Sequence, residues 1–141
     1  MQVRNAMTRK VTAARPHTTV RQLASRLLDR GFKGMPIVDI DRKVIGVVTE
    51  ADIIKAIYAG KDLITLNAEQ IMTKSPICVD VQSSVKDAID LMVQNDVTGL
   101  PVTYQGKLEG IISGSDIMRA MLKEKGYEPF IEYEYFMDRG T

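Results

Sequence analysis

Two short stretches of this chain carry the same chemistry in the same order. "GVVTEADIIKA" occupies residues 46–56 and "GIISGSDIMRA" residues 110–120. Each sets a hydroxyl three residues before a carboxylate, Thr49 with Asp52 and Ser113 with Asp116, after a run of branched apolar residues. An ionised carboxylate only accepts hydrogen bonds and has about four lone-pair sites. It can therefore receive both vicinal hydroxyls of a ribose, and charge strengthens those bonds. The hydroxyl at the strand end can donate to a phosphate or ribose oxygen, and the first-turn N–H groups of a helix suit a phosphate. The same two residue types at this spacing also form a capping box, in which hydroxyl and carboxylate satisfy the orphan donors of a helix start. From the residues alone both readings stand.

The elements that must hold these pairs come from a duplication. Sliding the chain by 65 residues superposes Met7-Thr8 on Met72-Thr73, Val20 on Val85, Gly34 on Gly99 and Pro36 on Pro101. Dropping one residue in the hairpin then sets Gly46 on Gly110, Asp52 on Asp116 and Ala56 on Ala120. A repeated unit cannot cover its own apolar face, so two copies sharing a core are expected.

Within each copy, periodicity assigns the elements. Val20, Leu23, Ala24, Leu27 and Leu28, and again Val85, Ala88, Ile89, Met92 and Val93, follow helical spacing. Thr18 or Thr19 and Ser83 or Ser84 are the expected caps. "MPIV" and "LPVT" read as strands, "DIDRK" and "YQGK" as hairpin loops, and "VIGVV" and "LEGII" as return strands. Residues 52–57 and 116–122 read as second helices, and "KVTAA" and "PICVD" as short opening strands. The expected fold is α/β (α+β): two β-α-β-β-α repeats related by pseudo-two-fold symmetry. The divisions are 1–58, a linker 59–70 in which Asn67 caps a short helix, 71–122, and a tail 123–141.

Composition narrows the function classes. The net charge is +1, yet eight of nineteen basic residues lie in the first 33 positions beside one acid, Asp29. That basic section suits phosphate, or is the solvated face of a helix, with Arg21, Arg26 and Arg30 alternating with apolar positions. A nucleic-acid binder is the less favoured rival, since neither a recognition helix nor a stacking platform is legible. The single cysteine, Cys78, and the single histidine, His17, make neither a metal site nor a catalytic set, and no P-loop or G-x-G-x-x-G is present. The acids of "DID", residues 39–41, suit a turn. An enzyme is not expected. No apolar run is long enough to span a bilayer and no secretory signal is legible, so a cytoplasmic protein is expected. The tail holds five of the eight aromatics, and it is expected to pack on the body or on a second subunit, or to dock an effector protein.

A β-α-β-β-α unit opening on Met-Thr, with "G-h-P-h-h" before a hairpin and "G-h-h-[ST]-x-x-D-h" after it, resembles the cystathionine β-synthase-type (CBS) domain. The resemblance covers about residues 5–122, and its specificity lies in the whole set occurring twice. It implies a regulatory pair without chemistry of its own and with no required cofactor. Such pairs bind adenosine-containing ligands (AMP, ADP, ATP or S-adenosylmethionine) between the repeats and assemble as dimers of four repeats. Each implied cleft combines the hydroxyl-x-x-Asp of one repeat with the opening strand and helix-to-strand loop of the other. One cleft then has Ser113, Ser115 and Asp116 for ribose and phosphate, with Thr12, Phe32, Gly34 and Ile111 around the base. The other has Thr49 and Asp52, with Ile77, Val97, Gly99 and Val47 around the base. The Asp116 cleft is expected to be the better one, because Gly114 and Ser115 leave room where Glu50 and Ala51 stand in the other. Lys33 would offset the Glu50 charge, and Arg15 and Lys10 are further phosphate candidates for the Asp116 cleft. The rival is a ligand-free interaction and dimerisation module.

Overall fold

The computed structural model describes residues 1–30 and 34–127. Phe32, Lys33 and the aromatic tail from residue 128 onward, all singled out above, lie outside the described residues.

The elements run α1 (Val3–Ala6), α2 (Val20–Arg30), β1 (Gly34–Val38), β2 (Val44–Thr49), α3 (Glu50–Tyr58), α4 (Ala68–Ile71), β3 (Thr73–Lys74), β4 (Val79–Asp80), α5 (Val85–Asn95), β5 (Gly99–Tyr104), β6 (Lys107–Ser113) and α6 (Gly114–Glu124). Among the described residues they build two three-stranded sheets, β1-β2-β3 and β4-β5-β6. In each, an antiparallel hairpin sets the glycine of one strand opposite the hydroxyl of the other: Gly34 with Thr49, and Gly99 with Ser113. The opening strands join in parallel, β4 beside β5, and Ala14 as a single bridge to Ile37.

The pairing at the far edge of each sheet comes from the other half, as a short strand in one and a single bridge in the other. β3, which opens the second repeat, pairs with β2, Thr73 facing Val47. Thr8, which opens the first repeat, pairs with Ile111 of β6. Helices follow the same exchange. Ala68 of α4 is buried in the core built by Val20, Leu23, Met35, Ile37 and Val48. Val3 of α1 is buried in the core of Ala88, Leu100, Val102 and Ile112. The pairings repeat with the register of the sequence: Gln2 bridges Ser84 while Asn67 bridges Thr19, and the equivalent residues Lys43 and Lys107 bridge each other at the hairpin tips. The local two-fold therefore passes between those lysines.

The caps are those the sequence offers. Thr19 accepts from Gln22 N at 3.2 Å, Ser84 from Asp87 N at 3.0 Å and Asn67 from Gln70 N at 3.2 Å. Asp39 accepts from the backbone of Asp41 and Lys43, both at 2.9 Å, so this acid serves the turn. Gly106 takes φ 82°, a left-handed conformation that glycine adopts without strain. Two helical positions depart from expectation: Leu28 is 84% and Val93 76% exposed. At 100° per residue each lies roughly 80° around from the first residue of its helix, past the edge of the buried stripe. The second helices begin two residues earlier than expected, because Thr49 and Ser113, and not the aspartates, occupy the cap position.

Candidate functional site

At the end of β2 the chain leaves the sheet and turns into α3, and Thr49 sits at that corner with extended backbone. Its Oγ1 accepts from Asp52 N at 3.3 Å, while Thr49 N and Oγ1 donate to Asp52 Oδ2 at 2.7 and 3.0 Å. The corner at β6–α6 is built alike. Ser113 Oγ accepts from Asp116 N at 3.3 Å, and Ser113 N and Oγ donate to Asp116 Oδ2 at 2.9 and 3.0 Å. Both capping boxes are therefore formed. A hydroxyl has a single proton, so Thr49 or Ser113 must release its carboxylate before donating to another acceptor.

The second oxygen of each aspartate separates the two corners. Asp116 Oδ1 accepts from Thr8 Oγ1 at 3.0 Å and from Arg119 Nη1 at 3.1 Å. With two donors on each oxygen its four acceptor positions are filled, and the residue is 4% exposed. Asp52 is half-buried, and its Oδ1 accepts no hydrogen bond among the described residues. The carboxylate with unused capacity is thus Asp52, whereas the sequence favoured Asp116.

Thr8 and Arg119 were missed as site residues. Thr8 lies 108 positions from its acceptor, and only the superposition of Met7-Thr8 on Met72-Thr73 pointed to it. Arg119 follows Asp116 by three positions, which places it on the same helical face.

The remaining residues named from the sequence fall as follows. Thr12 lies between Thr8, bound to β6, and Ala14, bound to β1. Ile77 lies between β3 and β4 and is 38% exposed. Each is therefore on a segment that passes from one sheet to the other. Gly34 and Gly99 stand across the hairpin from the hydroxyl of their own repeat, though each was assigned to the opposite aspartate. A Cβ on Gly34 would stand 3.7 Å from Val47 Cγ1 and 3.8 Å from Thr49 Cγ2, so Gly34, Val47 and Thr49 form one group. Ile111 is the strand partner of Thr8 and lies beside the Asp116 corner. Val97 packs on the second core. Ser115 is exposed and its side chain makes no hydrogen bond among the described residues, while Gly114 N donates to Thr98 O at 2.8 Å. Lys10 is exposed. Arg15 lines a groove of about 440 Å³ with His17, Thr18, Gln22, Arg26 and Val38, at the opposite end of β1 from Gly34. A second hollow of about 580 Å³ flanks α2 at Thr19, Arg21, Ser25 and Ile64.

Among the described residues no group of three His, Cys, Asp or Glu side chains is placed to hold a metal ion. No helix among them is long and apolar enough to cross a membrane. Burial raises the pKa of the Cys78 thiol.

A duplicated unit whose halves exchange edge pairings, with a hydroxyl-x-x-Asp corner in each copy, defines a tandem pair of repeats. The chain belongs to the CBS domain family, whose model matches residues 3–59 and 68–123. Among relatives, hypoxic response protein 1 of Mycobacterium tuberculosis is 30% identical over 117 residues, covering 82% of each chain. The solved CBS domain pair of protein MJ0100, in complex with methylthioadenosine and S-adenosyl-L-methionine, superposes with a TM-score of 0.79 at 25% identity, covering 88% of this chain and 98% of that one. CBSX2 in complex with AMP superposes with a TM-score of 0.77 at 26% identity, with the same two coverages.

Proposed function

We propose that this protein is a regulatory sensor that binds an adenosine-containing ligand, AMP, ADP, ATP or S-adenosylmethionine, between its repeats, and that it has no catalytic chemistry of its own. The observation that carries this reading is the Asp52 carboxylate, held at a strand–helix corner with one oxygen that accepts no bond among the described residues. A ribose diol fits that oxygen, since it offers two donors to two vacant lone pairs. Hydrogen bonds to a charged acceptor contribute about 1.5–3 kcal/mol each. The adenosine compounds held by two similar CBS pairs support the ligand class. Glu50 lies in the first turn of α3 and repels a polyphosphate, which favours ligands with little phosphate charge at this corner.

A second copy of the chain is the proposed partner, in a cytoplasmic dimer of four repeats. The outer faces of α3 and α6 leave Ile54, Ile57, Tyr58, Met118 and Leu122 exposed, which suits burial between copies. An effector protein and the tail as its docking segment remain parts of this proposal.

The test is thermal unfolding of protein stripped of co-purified nucleotide, with each of the four ligands in turn. At a ligand concentration a hundredfold above Kd, one occupied site adds about 2.7 kcal/mol. The expected outcome is a saturable rise in Tm that Asp52→Ala removes. The competing reading, a ligand-free interaction module, draws on the filled state of Asp116 and predicts a dimer whose Tm none of the four ligands moves.

A further inference from the structure

The two corners are alike in sequence and unlike in what their carboxylates hold. The geometry points to a gate at the second corner: Thr8 and Arg119 occupy the acceptor positions of Asp116, so the chain takes one adenosine ligand, at Asp52, until that gate is opened. This rests on the adenosine-ligand reading above.

The local two-fold supplies an internal control. Thr73 is the equivalent of Thr8, and Lys55 the equivalent of Arg119. Thr73 is exposed in β3, and neither it nor Lys55 bonds to Asp52. At the second corner the Thr8 hydroxyl and the Arg119 guanidinium meet on one oxygen, at 3.0 and 3.1 Å. A ribose diol arriving at Asp116 would have to displace both donors from a carboxylate that is 4% exposed. It would exchange two hydrogen bonds for two and strand the displaced Thr8 hydroxyl, a net gain near zero. At Asp52 the same diol displaces no donor among the described residues, only solvent from a half-buried residue.

The Thr8 bond also ties the segment leading into the first repeat to the corner of the second. Thr8 N donates to Ile111 O at 2.8 Å and Ile111 N to Thr8 O at 2.9 Å, so the backbone holds the hydroxyl in place. Arg119 is different, for its side chain is 72% exposed and free to swing outward. Arg119 is the mobile half of the gate and Thr8 the fixed half.

Isothermal titration of the full chain with S-adenosylmethionine and, separately, AMP tests this. Wild type is expected to bind one ligand per chain, with at least a tenfold loss in Asp52→Ala. Thr8→Val with Arg119→Ala is expected to bind two, the second lost again when Asp116→Ala is added. Arg119→Ala alone, at an exposed position, serves if the double variant fails to fold, and Tm without ligand checks each protein. Two equivalent sites in wild type, or weaker binding in Arg119→Ala, would overturn the gate while leaving the ligand reading intact; undiminished binding in Asp52→Ala would overturn the gate together with the assignment of the ligand to Asp52. Absence of binding by wild type and by the opened variants would overturn both.

Discussion

Each hydroxyl-x-x-Asp pair serves folding first, because the helix start needs its donors satisfied whether or not a ligand is present. Thr49→Ala and Ser113→Ala should each lower stability by about 1 kcal/mol, the usual effect of losing such a cap, as read by denaturant unfolding. The aspartates should differ. Asp116→Ala also strands the Thr8 hydroxyl, so it should cost about 1–3 kcal/mol, more than Asp52→Ala. The exposed Arg119 adds little to that difference, since solvent screens it. Equal losses at the two aspartates would contradict the bonding described. Cys78 gives an independent check. Burial raises its pKa, which leaves less thiolate near neutral pH, so alkylation should be slower than for a free thiol and accelerate on unfolding. The capping pairs were legible because their partners lie three residues apart. The unequal filling of their outer oxygens was not, because Thr8 approaches Asp116 through a strand pairing that no local spacing records.

At the scale of elements, the exchange of edge strands decides which substitutions the fold tolerates. A Cβ on Gly110 would lie 2.6 Å from the Thr8 carbonyl oxygen, a backbone atom held by its bond from Ile111 N. A Cβ on Gly46 would meet the Met72 side chain, which can turn aside. Gly110→Ala should therefore lower stability by about 1–3 kcal/mol, as overpacking does, and Gly46→Ala by less; the reverse order in urea unfolding would contradict the arrangement. Helices, hairpins and turn residues were readable, since period and Gly106 are local signals. The crossing of Thr8 and Thr73 to the opposite sheets was not, for a two-residue strand leaves no periodic trace. Leu28 and Val93 misled because a leucine or valine at the margin of a stripe resembles one at its centre.

For the whole molecule, duplication explains the closed architecture. Each half lends an edge strand and a short helix to the other, so neither sheet covers its core without its partner. The repeat was visible in the aligned Met-Thr, Gly and Asp positions, and with it the family. The assembly is a prediction at this scale. Size-exclusion chromatography with light scattering should give a dimer, and Ile54→Glu combined with Met118→Glu should give a folded monomer, since both side chains are more than half exposed on α3 and α6. A wild-type monomer would contradict the proposed dimer.

The central claim is that a sugar diol binds the open carboxylate. A crystal structure of the full chain with saturating S-adenosylmethionine tests it most directly. Ligand is expected between the repeats, with both ribose hydroxyls donating to Asp52. Clefts filled only by the chain's own side chains, or a ligand bound away from Asp52, would contradict it.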